Sequence, residues 1–216
     1  MVATENAIKL RQAERHAILA TWVLFLATTG SSLLLRAQTE QPDSGASLTI
    51  DREAPAWSTR GWINAESLDI KQFRGKVVLL RFLNDETTGG PTLNDVYRTY
   101  RVQGLAVVGM FAPSPMPSDI PQEHVRDFAR AKGFEFPIGV DSRWETMNRY
   151  WLDRADAEQG AATFLIDRKG IVRYIQHDGQ YEKNSANRTL RREYEKLQKA
   201  IETILKSDDA KAGGGK

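Results

Sequence analysis

The sequence predicts an α/β domain, a central mixed sheet flanked by helices, preceded by a single N-terminal transmembrane helix. Three stretches carry that reading. Lys76–Tyr100 passes from an almost unbroken apolar run (Val77, Val78, Leu79, Leu80, Phe82, Leu83, with only Arg81 interrupting) through a Thr/Gly/Pro loop into an amphipathic segment. That is the pattern of a strand covered on both faces feeding a helix. Ala161–Gln176 holds two strand-like runs about an Asp167–Gly170 turn, as an antiparallel hairpin requires. Ala17–Leu35 runs for nineteen residues without a charge, close to the ~20 an α-helix needs to cross a bilayer core.

Residues 1–15 are polar and helix-compatible, with Lys9, Arg11 and Arg15 near their end. The span is read as 16–36. Three basic residues precede it, while Arg36 alone follows closely, ahead of Glu40 and Asp43. The positive-inside rule then puts the N-terminus in the cytoplasm and everything after Arg36 outside it, in a single pass. A cleaved signal peptide is the competing reading. The apolar region is long for one, and Leu35-Arg36-Ala37 is a poor small-x-small cleavage site. Ala27/Ser31 and Thr28/Ser32 are small residues four apart, the spacing that lets membrane helices approach closely; short side chains are also simply tolerated near the end of a single span. Residues 37–50, with Pro, Gly and Ser, make a linker, and the domain is read as 51–206.

Within the domain, Trp57 and Trp62 read as packing anchors of the entry segment, and Val77–Leu83 as the first central strand. Thr87 and Thr88 supply hydroxyls suited to a helix N-cap, Gly89 and Gly90 a tight turn, and Pro91 the first helical turn. Leu93, Val96, Tyr97 and Tyr100 face inward at helical spacing, leaving Asn94, Asp95, Arg98 and Thr99 outside. Gly104–Phe111 is a second buried strand, parallel to the first. Ala112–Pro121 is a proline-rich loop. Gln122–Lys132 is a helix with Val125, Phe128 and Ala129 inward, closed by Gly133. Phe134–Asp141 reads as a short strand, and Ser142–Trp151 as a helix whose apolar side is Trp144, Met147 and Tyr150 or Trp151. After the hairpin, Ala186–Leu205 is a helix with a stripe of Leu190, Tyr194, Leu197, Ile201, Ile204 and Leu205. Residues 207–216 have no means of burying anything and are expected to be mobile unless a partner holds them.

The Gly75–Phe82 strand with its loop and helix, the Ala54-Pro55-Ala56-Trp57 entry and the Thr163–Gly170 hairpin together resemble the thioredoxin-like, redoxin-type family. They are most similar to its membrane-anchored, extracytoplasmic thiol-disulfide oxidoreductase branch. The resemblance covers about Asp51–Leu205. It implies a short hairpin and one helical turn ahead of the first central strand. It also implies a Cys-x-x-Cys loop at a helix N-terminus, where the helix dipole and free N–H groups lower a thiol's pKa. Laid on that pattern, Thr87 and Gly90 fall at the two cysteine positions, which makes Thr87-Thr88-Gly89-Gly90 a degenerate redox loop. Ala161 falls where thioredoxins carry the cis-proline that holds substrate backbone. The chain has no cysteine in 216 residues, so thiol–disulfide chemistry is excluded.

Other chemistry finds little footing. A net charge of +2 with 27% charged residues carries no electrostatic footprint for nucleic acid. His16, His124 and His177 are not at metal-ligand spacing and no carboxylate cluster brackets them. A phosphate loop, a serine elbow and a kinase set are all missing from the sequence. No catalytic, cofactor-binding or metal residue is therefore expected, and no small-molecule substrate. Asp85 and Glu86 flank the loop; paired carboxylates before a helix N-terminus commonly compensate its dipole. The expectation is a redox-inactive, non-enzymatic accessory subunit or assembly factor, partnered by integral membrane subunits of a larger complex, respiratory or photosynthetic complexes being suitable hosts. The alternatives are a non-redox module that holds client peptides in the groove between Thr87–Gly90 and Ala161, and an enzyme of unrelated chemistry built on Asp85 or Glu86.

Overall fold

The computed structural model of the chain describes residues 50–153, 162–176 and 180–212. In chain order the elements are β1 (Trp62–Ile63), β2 (Val77–Leu83), α1 (Gly90–Tyr100), β3 (Leu105–Phe111), α2 (Gln122–Lys132), β4 (Ile138–Val140), α3 (Glu145–Met147), β5 (Thr163–Ile166), β6 (Val172–Gln176) and α4 (Arg188–Ala212). Six strands form one sheet in the order β1-β4-β3-β2-β5-β6. β2 lies between a parallel neighbour, β3, in register from Val77↔Leu105 to Leu83↔Phe111, and an antiparallel one, β5. This interior place is why its apolar run is continuous rather than alternating: every residue of β2 is buried.

Each face of the sheet carries its own core. On one face Leu79, Val107 and Phe111 meet Leu93, Val96 and Tyr100 of α1, Val125 and Phe128 of α2, and Leu197 and Ile201 of α4. On the other, Val78, Leu80, Phe82 and Phe164 pack under Trp57, Ile70, Trp144, Tyr150 and Trp151. Trp57 and Trp62 are packing anchors, their ring centroids 5.8 Å apart, and the Trp57 indole N–H donates to the Tyr150 hydroxyl at 3.1 Å.

Three local expectations are corrected, and one is found in place. The entry segment makes no hairpin of its own: β1 pairs antiparallel with β4, Trp62 opposite Gly139. A Cβ at Gly139 would stand 2.8 Å from Thr59 Cγ2, 3.0 Å from Met110 Sδ and 3.2 Å from the Trp62 ring, so glycine is what lets these three side chains close over β4. The expected helical turn before β2 is present, as a 3-10 turn at Ile70–Phe73 closed by a capping box between Asp69 and Gln72. The helix read at Ser142–Trp151 is three α residues followed by a π turn, Asn148–Leu152, whose wider pitch turns both Tyr150 and Trp151 inward. Finally, α4 begins at Arg188 rather than Ala186, with Asn187 Oδ1 accepting the Thr189 N–H at 2.8 Å. It runs on past Leu205 to Ala212, since no glycine or proline intervenes before Gly213.

The apolar 17–35 stretch, with Ala27, Thr28, Ser31 and Ser32, lies outside the described residues, as do Ala161, His16 and His177. No helix among the described residues is long and apolar enough to cross a membrane.

Candidate functional site: the loop between the central strand and its helix

β2 delivers the chain into the segment 84–89, and there the sequence closes a turn. The Asn84 N–H donates to Thr87 Oγ1 at 2.8 Å, and the Thr87 N–H donates back to the Asn84 carbonyl at 3.0 Å. The Thr87 hydroxyl lies 3.2 Å from Asn84 Oδ1, which also accepts the Glu86 N–H at 3.1 Å. Thr87 is thereby turned inward and is only 5% exposed. Its carbonyl accepts from Lys132 Nζ at 3.0 Å. Asn94 Nδ2 in turn donates to the Lys132 carbonyl at 3.0 Å, so Asn94, expected on the outer face of α1, is buried.

Neither threonine caps the helix, because Thr87 is already committed to Asn84. The N-cap is Gly89, in the left-handed region at φ 74°, with no side-chain cap bond. A Cβ there would meet the Tyr181 carbonyl oxygen at 2.7 Å, so both the backbone and the neighbour demand glycine. Gly90, the first helical residue, is buried too, but a Cβ on it would rest 3.6 Å from Lys132 Cδ and Phe134 Cε1, ordinary contact. Of the four positions of the loop, only Thr88 is exposed. A neutral hydroxyl bonded to an amide, with no base at hand, is not an activated nucleophile.

Beneath the loop lies Arg81. It is 3% exposed, donates from Nη1 to Thr163 Oγ1 at 3.0 Å, and its guanidinium sits 5.0 Å from the Tyr181 ring centroid. Burial holds the Tyr181 hydroxyl above the usual phenol range, with the Arg81 charge opposing that rise. Arg81, Thr87, Thr88, Ser114, Trp144 and Met147 border a cavity of about 340 Å³. Its indole wall is fixed by the bond from Trp144 Nε1 to the Pro113 carbonyl at 2.8 Å.

The two carboxylates that flank the loop part company. Asp85 Oδ1 lies 2.7 Å from His124 Nε2 on α2, while Glu86 stays on the surface without an ion pair among the described residues. Among the described residues no group of three His, Asp or Glu side chains is arranged to hold a metal ion. Sequence reasoning missed the Asp85–His124 pair, which joins residues 39 apart in the chain. It placed a groove between Thr87–Gly90 and Ala161, but not the part that Arg81, Trp144 and Met147 play in bordering the cavity beside the loop; the one signal for that was a single charge, Arg81, inside an otherwise apolar strand.

A mixed sheet with this strand order, a helix launched from the end of its central strand and a closing antiparallel hairpin define the thioredoxin-like class. The AhpC/TSA family model matches residues 50–175, more than half of the chain, and the chain belongs to that family. It is similar to protein DipZ of Mycobacterium bovis and of Mycobacterium tuberculosis, 32% identical in each case over 134 residues. That match spans 56% of this chain and 18% of the relative. Among solved structures it superposes on a protein described as the thiol:disulfide interchange protein DsbE from Chlorobium tepidum. There the TM-score is 0.56 at 22% identity, with coverage of 74% of this chain and 99% of that one. A thiol-disulfide isomerase from Corynebacterium glutamicum superposes with a TM-score of 0.52 at 21% identity, covering 76% and 97%. These likenesses establish the fold.

Proposed function

We propose that this chain is a redox-inactive, membrane-anchored member of its family, an accessory subunit or assembly factor of a larger membrane protein complex rather than an enzyme. In this reading residues 16–36 hold it in a bacterial inner membrane, the thioredoxin-like domain lies on the periplasmic side, and its partners are integral membrane subunits. Respiratory and photosynthetic complexes are suitable hosts. The observation that carries the proposal is the rebuilt loop: Thr87 is buried in a turn with Asn84 and the other cysteine position is a glycine, yet the sheet and both cores are retained. The relatives named for thiol–disulfide exchange use the same fold for chemistry this cysteine-free chain lacks. A deletion strain tests the proposal. Membranes without this chain should show one complex reduced in mass or in amount on a native gel, restored by the full chain. Unchanged complexes would contradict it.

The cavity of about 340 Å³ beside the loop favours a second reading, a module that holds an extended client peptide without redox turnover. Thr88 and Ser114 border it from exposed positions, so Thr88→Trp with Ser114→Trp should close it while sparing the cores. Client capture lost in that variant, with all complexes intact, would move the balance to this reading.

A further inference from the structure

The turns at the end of the sheet remote from the 84–89 loop gather positive charge. The Gly75 N–H donates to the Arg168 carbonyl at 2.8 Å, Val77 to Gly104 at 3.1 Å, and Ala54 to Gly170 at 2.9 Å. These bonds bring the entry segment 50–54, the 74–76 turn, the 101–103 turn and the hairpin turn to one pole. Arg52, Arg74, Lys76, Arg101 and Lys169 are all exposed there. The nearby carboxylates are engaged: Glu53 pairs with Arg74 at 2.5 Å, Asp51 and Asp167 with Arg173, and Asp69 caps the 3-10 turn. Among the described residues Arg52, Lys76 and Lys169 make no ion pair. Apolar exposure concentrates at the same place. Of the three large apolar side chains exposed on the described residues, two belong to this pole, Val102 at 83% and Ile50 at 52%. Ile50 is also where the chain enters from residues 1–49, which contain the uncharged 17–35 stretch.

We infer that this pole rests on an anionic phospholipid surface. Lys and Arg side chains are drawn to a negatively charged leaflet, and Val102 and Ile50 reach the boundary between headgroups and acyl chains. The inference rests on the anchored reading of 16–36. It orients the domain as well: β2 is 7 residues long, so at about 3.3 Å per residue the 84–89 loop stands roughly 20 Å further from the bilayer, open to a partner.

The absence of cysteine supplies the test, since Val102→Cys and Met116→Cys each create a single labelling site in the full chain. Each labelled chain is reconstituted into vesicles of phosphatidylcholine alone or mixed with phosphatidylglycerol, bearing an environment-sensitive dye. The dye at 102 is expected to shift to the blue only with phosphatidylglycerol. The shift should vanish in 1 M salt, where the screening length is about 3 Å, and in the Arg52→Glu/Lys76→Glu/Lys169→Glu background. The dye at 116, on the loop bordering the cavity, should respond to none of these. Equal spectra at 102 in both vesicles would overturn the inference. A shift seen only in native membranes would assign the pole to a protein partner and overturn it likewise. Failure of the anchored reading shows separately, as release of the chain from neutral vesicles on flotation.

Discussion

The Thr87 hydroxyl accepts the Asn84 N–H while it is shut away from water, so its loss leaves a buried donor without a partner. Thr87→Val is expected to cost about 1–3 kcal/mol in denaturant unfolding, with Thr87→Ser close to the parent; equal costs for both would refute the turn. Asp141 offers a pH test. Its carboxylate is buried and accepts the Met147 N–H at 2.8 Å, and desolvation raises its pKa above the usual carboxylate range, the backbone bonds opposing. A native pKa above the unfolded value means that the fold binds this proton more tightly. Its contribution is then fully present below the unfolded pKa of about 3.9 and is lost as pH rises through the native value. Asp141→Asn should remove that loss. Stability curves of parent and variant that stay parallel across the window would contradict the assignment.

At the scale of elements, α2 binds the loop to the sheet through Lys132 and His124, and β3 admits no extra volume. Lys132→Met removes the donor to the Thr87 carbonyl. A bond to a charged group is worth about 1.5–3 kcal/mol, so amide exchange at Leu93, whose N–H bonds to Gly89, should quicken about tenfold or more. Unchanged exchange would mean that the loop stands without α2. In β3 a Cβ at Gly109 would come within 2.6 Å of Leu83 Cδ1 and 3.1 Å of Ile138 Cγ1. Gly109→Ala should therefore destabilise by about 1–3 kcal/mol through overpacking, and a neutral result would show a looser core than the contacts imply. These elements differ in how far the sequence discloses them. Val77–Leu83, Gln122–Lys132 with its Gly133 cap, and the Asp167–Gly170 turn all state their structure locally, by apolar runs, helical spacing and turn residues. The Gly89 cap does not, because it follows from a long-range neighbour, the Tyr181 carbonyl. The β1–β4 pairing and the Asp85–His124 contact are likewise invisible until distant segments meet, and a two-residue strand such as Trp62–Ile63 carries no periodicity to read.

The whole molecule keeps a family fold in a chain without cysteine, and the loop that leads into α1 is given over to packing and turn. Composition discloses the absence of cysteine; the structure adds a closed Asn84–Thr87 turn tied to α2. On the proposed reading the fold serves through its surfaces and should be found bound to something. The most direct measurement is mild-detergent extraction of native membranes, native separation, and mass spectrometry of the band that contains this chain. The account predicts co-migration at fixed stoichiometry with integral membrane subunits. Migration as a free monomer would contradict it.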